Sequence, residues 1–175
     1  MCLDGVVTPQ RVISLNGAFL PLRGLAGQVF SPVAKLMSAV PFVPTLFSWR
    51  ATDPAVLKRL IDGTGSVLDA EGIALYGQLV SNPGHAAGAL AMMANWDLPQ
   101  LVLDLPRLAV PLSLIVGGND QIVLPRQSER LLASWPASSA SQPPHLTTLP
   151  GLGHLAHEEQ PEQVANLVLK QFRQI

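Results

Sequence analysis

Asp120 and His154 are the residues of this chain best placed to move a proton. Asp120 ends the run Gly117-Gly118-Asn119-Asp120, directly after the apolar stretch 111–116 (PLSLIV). His154 ends Pro150-Gly151-Leu152-Gly153-His154, directly after 145–149 (HLTTL). An acid just past one strand and a histidine just past the next suit nucleophile–His–acid hydrolysis. There the imidazole takes a proton from the nucleophile, while the carboxylate orients the ring and stabilises the imidazolium. The two residues stand 34 positions apart, which leaves room for a helix, a loop and a strand. Gly151 and Gly153 would let the second loop turn sharply and return the ring over a sheet. The plain alternatives are a turn aspartate beside two glycines and a loop histidine capping backbone groups. His154 and His157 also share the i, i+3 spacing of a zinc pair. No third ligand accompanies them and HLAHE is not H-E-x-x-H, so neither metal nor cofactor is expected.

The elements that must carry this pair read as an α/β fold. Three apolar runs, 11–15 (RVISL), 111–116 and 145–149, lack polar alternation and end in Gly, Pro or Asn-Gly. Such runs are strands buried on both faces, as in parallel sheets, and chemistry gathers where their carboxyl ends open into loops. A helix over 126–135, with Leu131, Leu132 and Trp135 on one face, joins the last two strands. A closing helix over 161–172 begins at Pro161 and carries a stripe of Val164, Leu167, Val168 and Phe172.

About 95 residues separate the first two strands, far more than a crossover helix needs. Asp53-Pro54 caps and starts one helix, with Val56, Leu57, Leu60 and Ile61 as its face and Gly63 as its stop. A second helix runs over 69–80 with Ile73, Tyr76, Leu79 and Val80, and a third over 83–95 contains Met92 and Met93. Inserted helices over the carboxyl edge of a parallel sheet are a lid. The division expected is therefore a strand within 1–17, a helical lid over 18–105, and a strand-helix-strand-helix segment over 106–175.

Composition narrows the function class. Hydrophobic residues make up 48% and charged residues only 13%, so the chain is no polar disordered segment. Eleven Lys and Arg against twelve Asp and Glu give no basic footprint for nucleic acid. The single Cys2 excludes an internal disulfide framework. The opening MCLDGVVTPQ carries no basic region followed by an apolar one, so a cytoplasmic location is expected. The longest apolar run, 36–49, is broken by Pro41 and Pro44 and is too short to cross a bilayer. The apolar stretch 19–49 is read as lid. Contact with a membrane surface stays open as its alternative, although Lys35 alone gives no basic face.

With those residues in view, PLSLIVGGNDQIVLP followed by LPGLGHLAHEEQPEQVANLV resembles the last two strands and last helix of α/β-hydrolase proteins. The resemblance implies that Asp120 and His154 match the family's acid and histidine, the acid after its seventh strand and the histidine after its eighth. Relatives that keep the acid after the sixth strand have their counterpart at Asn16, which is no acid. The segments SLNGAFLPLRGLAGQVFSPVAKLM, FSWRATDP, GTGS and PGHAAGALAMMANWDL are similar to the magnesium-chelatase accessory proteins of bacteriochlorophyll biosynthesis.

Much of the family pattern is missing. No G-x-S-x-G nucleophile elbow occurs in the 175 residues. Gly84-His85-Ala86-Ala87-Gly88 echoes it, but with alanine at the serine position and an Ala-rich helix after it. The expectation is a C-terminal portion of an α/β-hydrolase fold, with strands resembling six to eight plus the lid. Its first strand, left unpaired on one side, would make the isolated chain self-associate.

The resemblance implies a small apolar or tetrapyrrole ligand and magnesium chelatase subunits as partners. Met92, Met93 and Trp96 would line the lid, with His85 as pocket lining or axial ligand to a tetrapyrrole metal. Their plain reading is lid packing and a helix start. Two other functions stay open beside a hydrolase remnant: a non-catalytic porphyrin-binding accessory protein, and a lidded esterase or epoxide-hydrolase-like enzyme of other substrate.

Overall fold

The computed structural model describes residues 1–20, 40, 42–139 and 141–173. Much of the apolar 19–49 stretch, Lys35 included, lies outside them. The chain divides into two compact units. One takes in Met1–Leu20, Gly63–Val67 and the chain from Leu98 onward, and holds every described strand. The other, within 42–62 and 68–97 of the described residues, is helical. Residues 63–67, inside the stretch read as one insertion, thus lie with the strands.

The sheet of the strand-bearing unit has the order β1 (Val12–Leu15), β2 (Leu112–Gly117), β3 (His145–Leu149), and all three run parallel. Leu15 pairs with Ile115 and Gly117 with Leu149. The residues after each strand therefore emerge at one edge: Asn16 from β1, the Asp120 loop from β2 and the His154 loop from β3.

β2 is buried along its whole length, which explains its unbroken apolar run. Leu112 and Leu114 pack with Leu105, Leu108 and Leu131 against one face. Ile115 packs with Leu149, Ala156 and Val164 on the other. Leu131 belongs to the crossover helix, which runs over Pro125–Ala133, and Leu132 and Trp135 pack beside it as expected.

The closing helix spans Pro161–Arg173. Val164, Leu167 and Val168 face the sheet, but Phe172 does not and is 45% exposed. Gln171 takes the inward position, three residues on from Val168, and its side chain accepts hydrogen bonds from Ser113 and Arg11. The inward stripe therefore ends one residue short of the expected Phe172.

The helical unit consists of α1 (Phe42–Ala51), α2 (Pro54–Asp62), α3 (Ala70–Val80) and α4 (Pro83–Ala94). The starts of α2, α3 and α4 are set by side-chain caps. The Asp53 carboxylate accepts from Ala55 N–H, Asp69 from Gly72 N–H, and Asn82 from the N–H groups of Gly84 and His85. Leu57 and Ile61 of α2 are buried, while Leu60 and Leu79 of the expected faces are exposed. Among the described residues no helix is long and apolar enough to cross a membrane.

Candidate functional site

The loops after β2 and β3 bring Asp120 and His154 together. His154 Nδ1 lies 2.8 Å from Asp120 Oδ2. The other carboxylate oxygen, Oδ1, accepts from the backbone N–H of Ile122 and of Val123, each at 2.8 Å. An ionised carboxylate only accepts, so the third bond takes a proton from the imidazole and places it on Nδ1. Nε2 then carries the free lone pair. The Asp120 side chain is wholly buried and that of His154 is 28% exposed. The buried carboxyl oxygens are thus all matched with partners, while part of the imidazole stays open to its surroundings.

Backbone bonds stitch the two loops to each other. Gly118 N–H donates to Leu149 O and Asn119 N–H to Leu152 O, both at 2.8 Å, and the Asn119 amide reaches Gly151 O. The turn expected of both loop glycines belongs to Gly151 alone, whose φ is +80°. Gly153 has a different task. A Cβ there would run into the backbone of Gly65 and Ser66, so this glycine lets two chain segments touch.

Four further groups hold the loops, none of them among the residues that sequence motifs point to. Thr64 O accepts from both His154 N–H, at 3.1 Å, and Gln121 N–H, at 3.2 Å, so one carbonyl ties the histidine loop to the acid loop. Ser66 Oγ accepts from Leu155 N–H at 2.9 Å. The Glu159 carboxylate accepts from Gly153 N–H through one oxygen and from Val67 N–H through the other. Asn16 is buried at the end of β1. Its side chain accepts from Gly117 N–H at 2.6 Å and donates to His154 O at 2.6 Å and Gly153 O at 3.3 Å. The available signals were the glycine-threaded GTGS between two helices and an Asn-Gly pair directly after a strand.

The remaining candidates lie elsewhere. His157 Nε2 sits 3.3 Å from Glu158 Oε1, at an exposed position. No group of three or more His, Cys, Asp or Glu gathers among the described residues as a metal site would require. In the helical unit, His85 is exposed in the first turn of α4, Met92 is 56% and Trp96 39% exposed, and Met93 is half-buried.

A family model described as the alpha/beta hydrolase family matches residues 5–167 of this chain. The magnesium-chelatase 30 kDa subunit of Rhodobacter capsulatus is 35% identical over 159 residues, 91% of this chain and 54% of that protein. The chain thus spans about half the length of the curated relative it matches. Among solved structures, a thermophilic esterase from Thermogutta terrifontis is similar with a TM-score of 0.58 and 20% identity, over 94% of this chain and 56% of its own. An alpha/beta hydrolase fold protein from Burkholderia ambifaria has a TM-score of 0.61 and 19% identity, over 96% and 58% respectively. At these identities the structures speak for the fold alone.

Proposed function

We propose, on the premise that this chain belongs to the alpha/beta hydrolase family, that Asp120 and His154 are the acid and base of a nucleophile–His–acid device. The observation that carries this reading is the 2.8 Å bond between Asp120 Oδ2 and His154 Nδ1. With Nδ1 committed to the buried carboxylate, Nε2 takes the proton of a nucleophile as that nucleophile bonds to an electrophilic carbon. It later returns the proton to the leaving group, and Asp120 stabilises the imidazolium between the two steps. The 175 residues contain no G-x-S-x-G. In this reading the nucleophile and its oxyanion donors come from residues outside them.

Short p-nitrophenyl acyl esters test it. The chain alone is expected to show no turnover. A chimera that restores the unmatched part of the Rhodobacter capsulatus relative is expected to turn over, and to lose activity with His154→Ala and with Asp120→Asn. Turnover by the chain alone that vanishes in His154→Ala would disprove the missing nucleophile. A folded chimera inert toward esters would count against the hydrolase reading.

A second reading has its own support: handling of a porphyrin beside magnesium chelatase, without hydrolysis. It draws on the similarity to the Rhodobacter capsulatus subunit. It also draws on the apolar side chains that the helical unit leaves exposed, among them Phe42, Leu46, Trp49, Met92 and Trp96. Flat aromatic rings and soft thioethers suit a flat apolar macrocycle, and the exposed His85 could supply an axial nitrogen. Helices α1–α4 would then act as a lid. Titration with protoporphyrin should quench tryptophan fluorescence saturably, and less so in Trp96→Leu. Quenching that never saturates would count against this reading.

Self-association of the isolated chain belongs to either reading. Among the described strands β1 pairs only with β2, leaving its other edge to template a second chain. Light scattering after gel filtration should find oligomers.

A further inference from the structure

We infer that Asn16 is a positioning residue for the Asp120–His154 pair, an inference that rests on reading that pair as the proton-handling centre. Asn16 is the one non-glycine among the described residues with a positive φ, at 49°. A left-handed backbone is easiest for glycine, and the chain places a glycine at the very next position, Gly17. Asparagine tolerates this region better than most residues but still stands there at a cost. Such a conformation persists where the surroundings over-determine it, and here the side chain does so.

Its amide meets both loops at once. Oδ1 accepts from Gly117 N–H, the last residue of β2, from which the acid loop departs. Nδ2 donates to the carbonyl of His154 itself and to that of Gly153 before it. The Asn16 backbone N–H meanwhile donates to Ile115 O, continuing the β1–β2 ladder by one residue. The side chain is therefore fixed to the sheet and holds the main chain of the histidine from there. A glycine at this position would satisfy the backbone and release all three side-chain bonds. Aspartate would keep the acceptor for Gly117 but turn an oxygen toward two carbonyl oxygens. Only an amide has the donor and the acceptor on the right sides.

Proton NMR of the chain tests this, because the His154 Nδ1 proton, held by Asp120, should give a far-downfield line. In Asn16→Gly, which relieves the backbone and cannot fail through strain, that proton should exchange with water faster by about tenfold or more. Asn16→Asp should show the same loss. Amide protection along Leu112–Val116 should survive in both, while that of Gly117 should fall in Asn16→Gly, and Ser113→Ala, which alters a buried hydroxyl bonded to Gln171, should leave the line unchanged. A line unaltered in Asn16→Gly would overturn the inference. Loss of the strand's own protection together with the line would overturn it too, by making Asn16 a general fold residue. A wild-type chain without the line, or with the line surviving in Asp120→Asn, would refute the pair itself and this inference with it.

Discussion

The loops around His154 and the helices of 42–97 are held by different kinds of bond. Around His154 local bonds, such as those from Ile122 and Val123 to Asp120, are joined by contacts between residues far apart in sequence: His154 to Asp120 across 34 positions, Leu155 to Ser66 across 89, and Asn16 to His154 across 138. The caps of the helical unit reach only two or three residues, as from Asp53 to Ala55 and from Asp69 to Gly72. Long-range bonds over-determine a geometry, which is what the proposed proton transfer needs. Local caps decide where a helix starts and leave its outer face free to change. That face is apolar on α1, with Phe42 and Trp49 each 66% exposed.

The largest expected effect is Leu114→Ala at the centre of the sheet. The side chain is 1% exposed, and truncating such a leucine costs about 2–5 kcal/mol. Leu75→Ala on α3, where the side chain is 58% exposed, should stay within about 0.5 kcal/mol. Urea unfolding of both variants checks the contrast, and equal losses would break it. Next come two glycines. Gly65→Ala puts a Cβ into the backbone carbonyl of Asn119 at a φ of +76°, and should cost about 2–4 kcal/mol. Gly88→Ala, within α4 and facing open space, should stabilise by about 0.5–1 kcal/mol. Opposite signs at two Gly→Ala changes are the measurable form of the difference between the regions.

The parts legible in the sequence were those governed by local rules. The β3 strand and the cap at Asp53 follow from apolar runs and capping chemistry, and the other expected strands and helices differ by a residue or two, whereas the helices Phe42–Ala51, Leu98–Asp104 and Ala156–Glu159 carry no pattern that announces them. The meeting of Asp120 and His154 was legible because parallel strands bring their carboxyl ends to one edge. The ring of support was not. Nothing local in Gly63-Thr64-Gly65-Ser66 says that it packs beside loops that begin about 50 and 90 positions later. Sequence alone marks Asn16 only as a missing acid, since its value lies in three partners that no window of sequence contains. Phe172 fits the apolar stripe yet points outward, because helical periodicity fixes a face only to within one residue.

Two asparagines sharpen the comparison further. Asn82 accepts from Gly84 and His85 at the start of α4, a purely local cap. Asn82→Ala should cost about 1 kcal/mol and Asn82→Gly only a few tenths. Neither should disturb the His154 Nδ1 proton, whereas Asn16→Gly should. A shift of that proton in Asn82→Ala would show that the helical unit does bear on the pair.

The smallest expected effect contrasts Asp104 with the buried Asp120. Asp104 is half-buried, its side chain 26% exposed. The side-chain amide of Gln100 and then the guanidinium of Arg107 hold its carboxyl below the usual carboxylate range. A carboxyl depressed in the folded state adds stability above its unfolded value and loses it as the pH falls through its folded one. Solvent screening keeps that contribution small. Asp104→Asn should therefore be slightly less stable than the parent at neutral pH, and the gap should close on acidification. Urea midpoints measured in pairs from neutral pH downward read that gap directly. A gap that widened on acidification would mean that the bonds to Gln100 and Arg107 favour the protonated carboxyl instead.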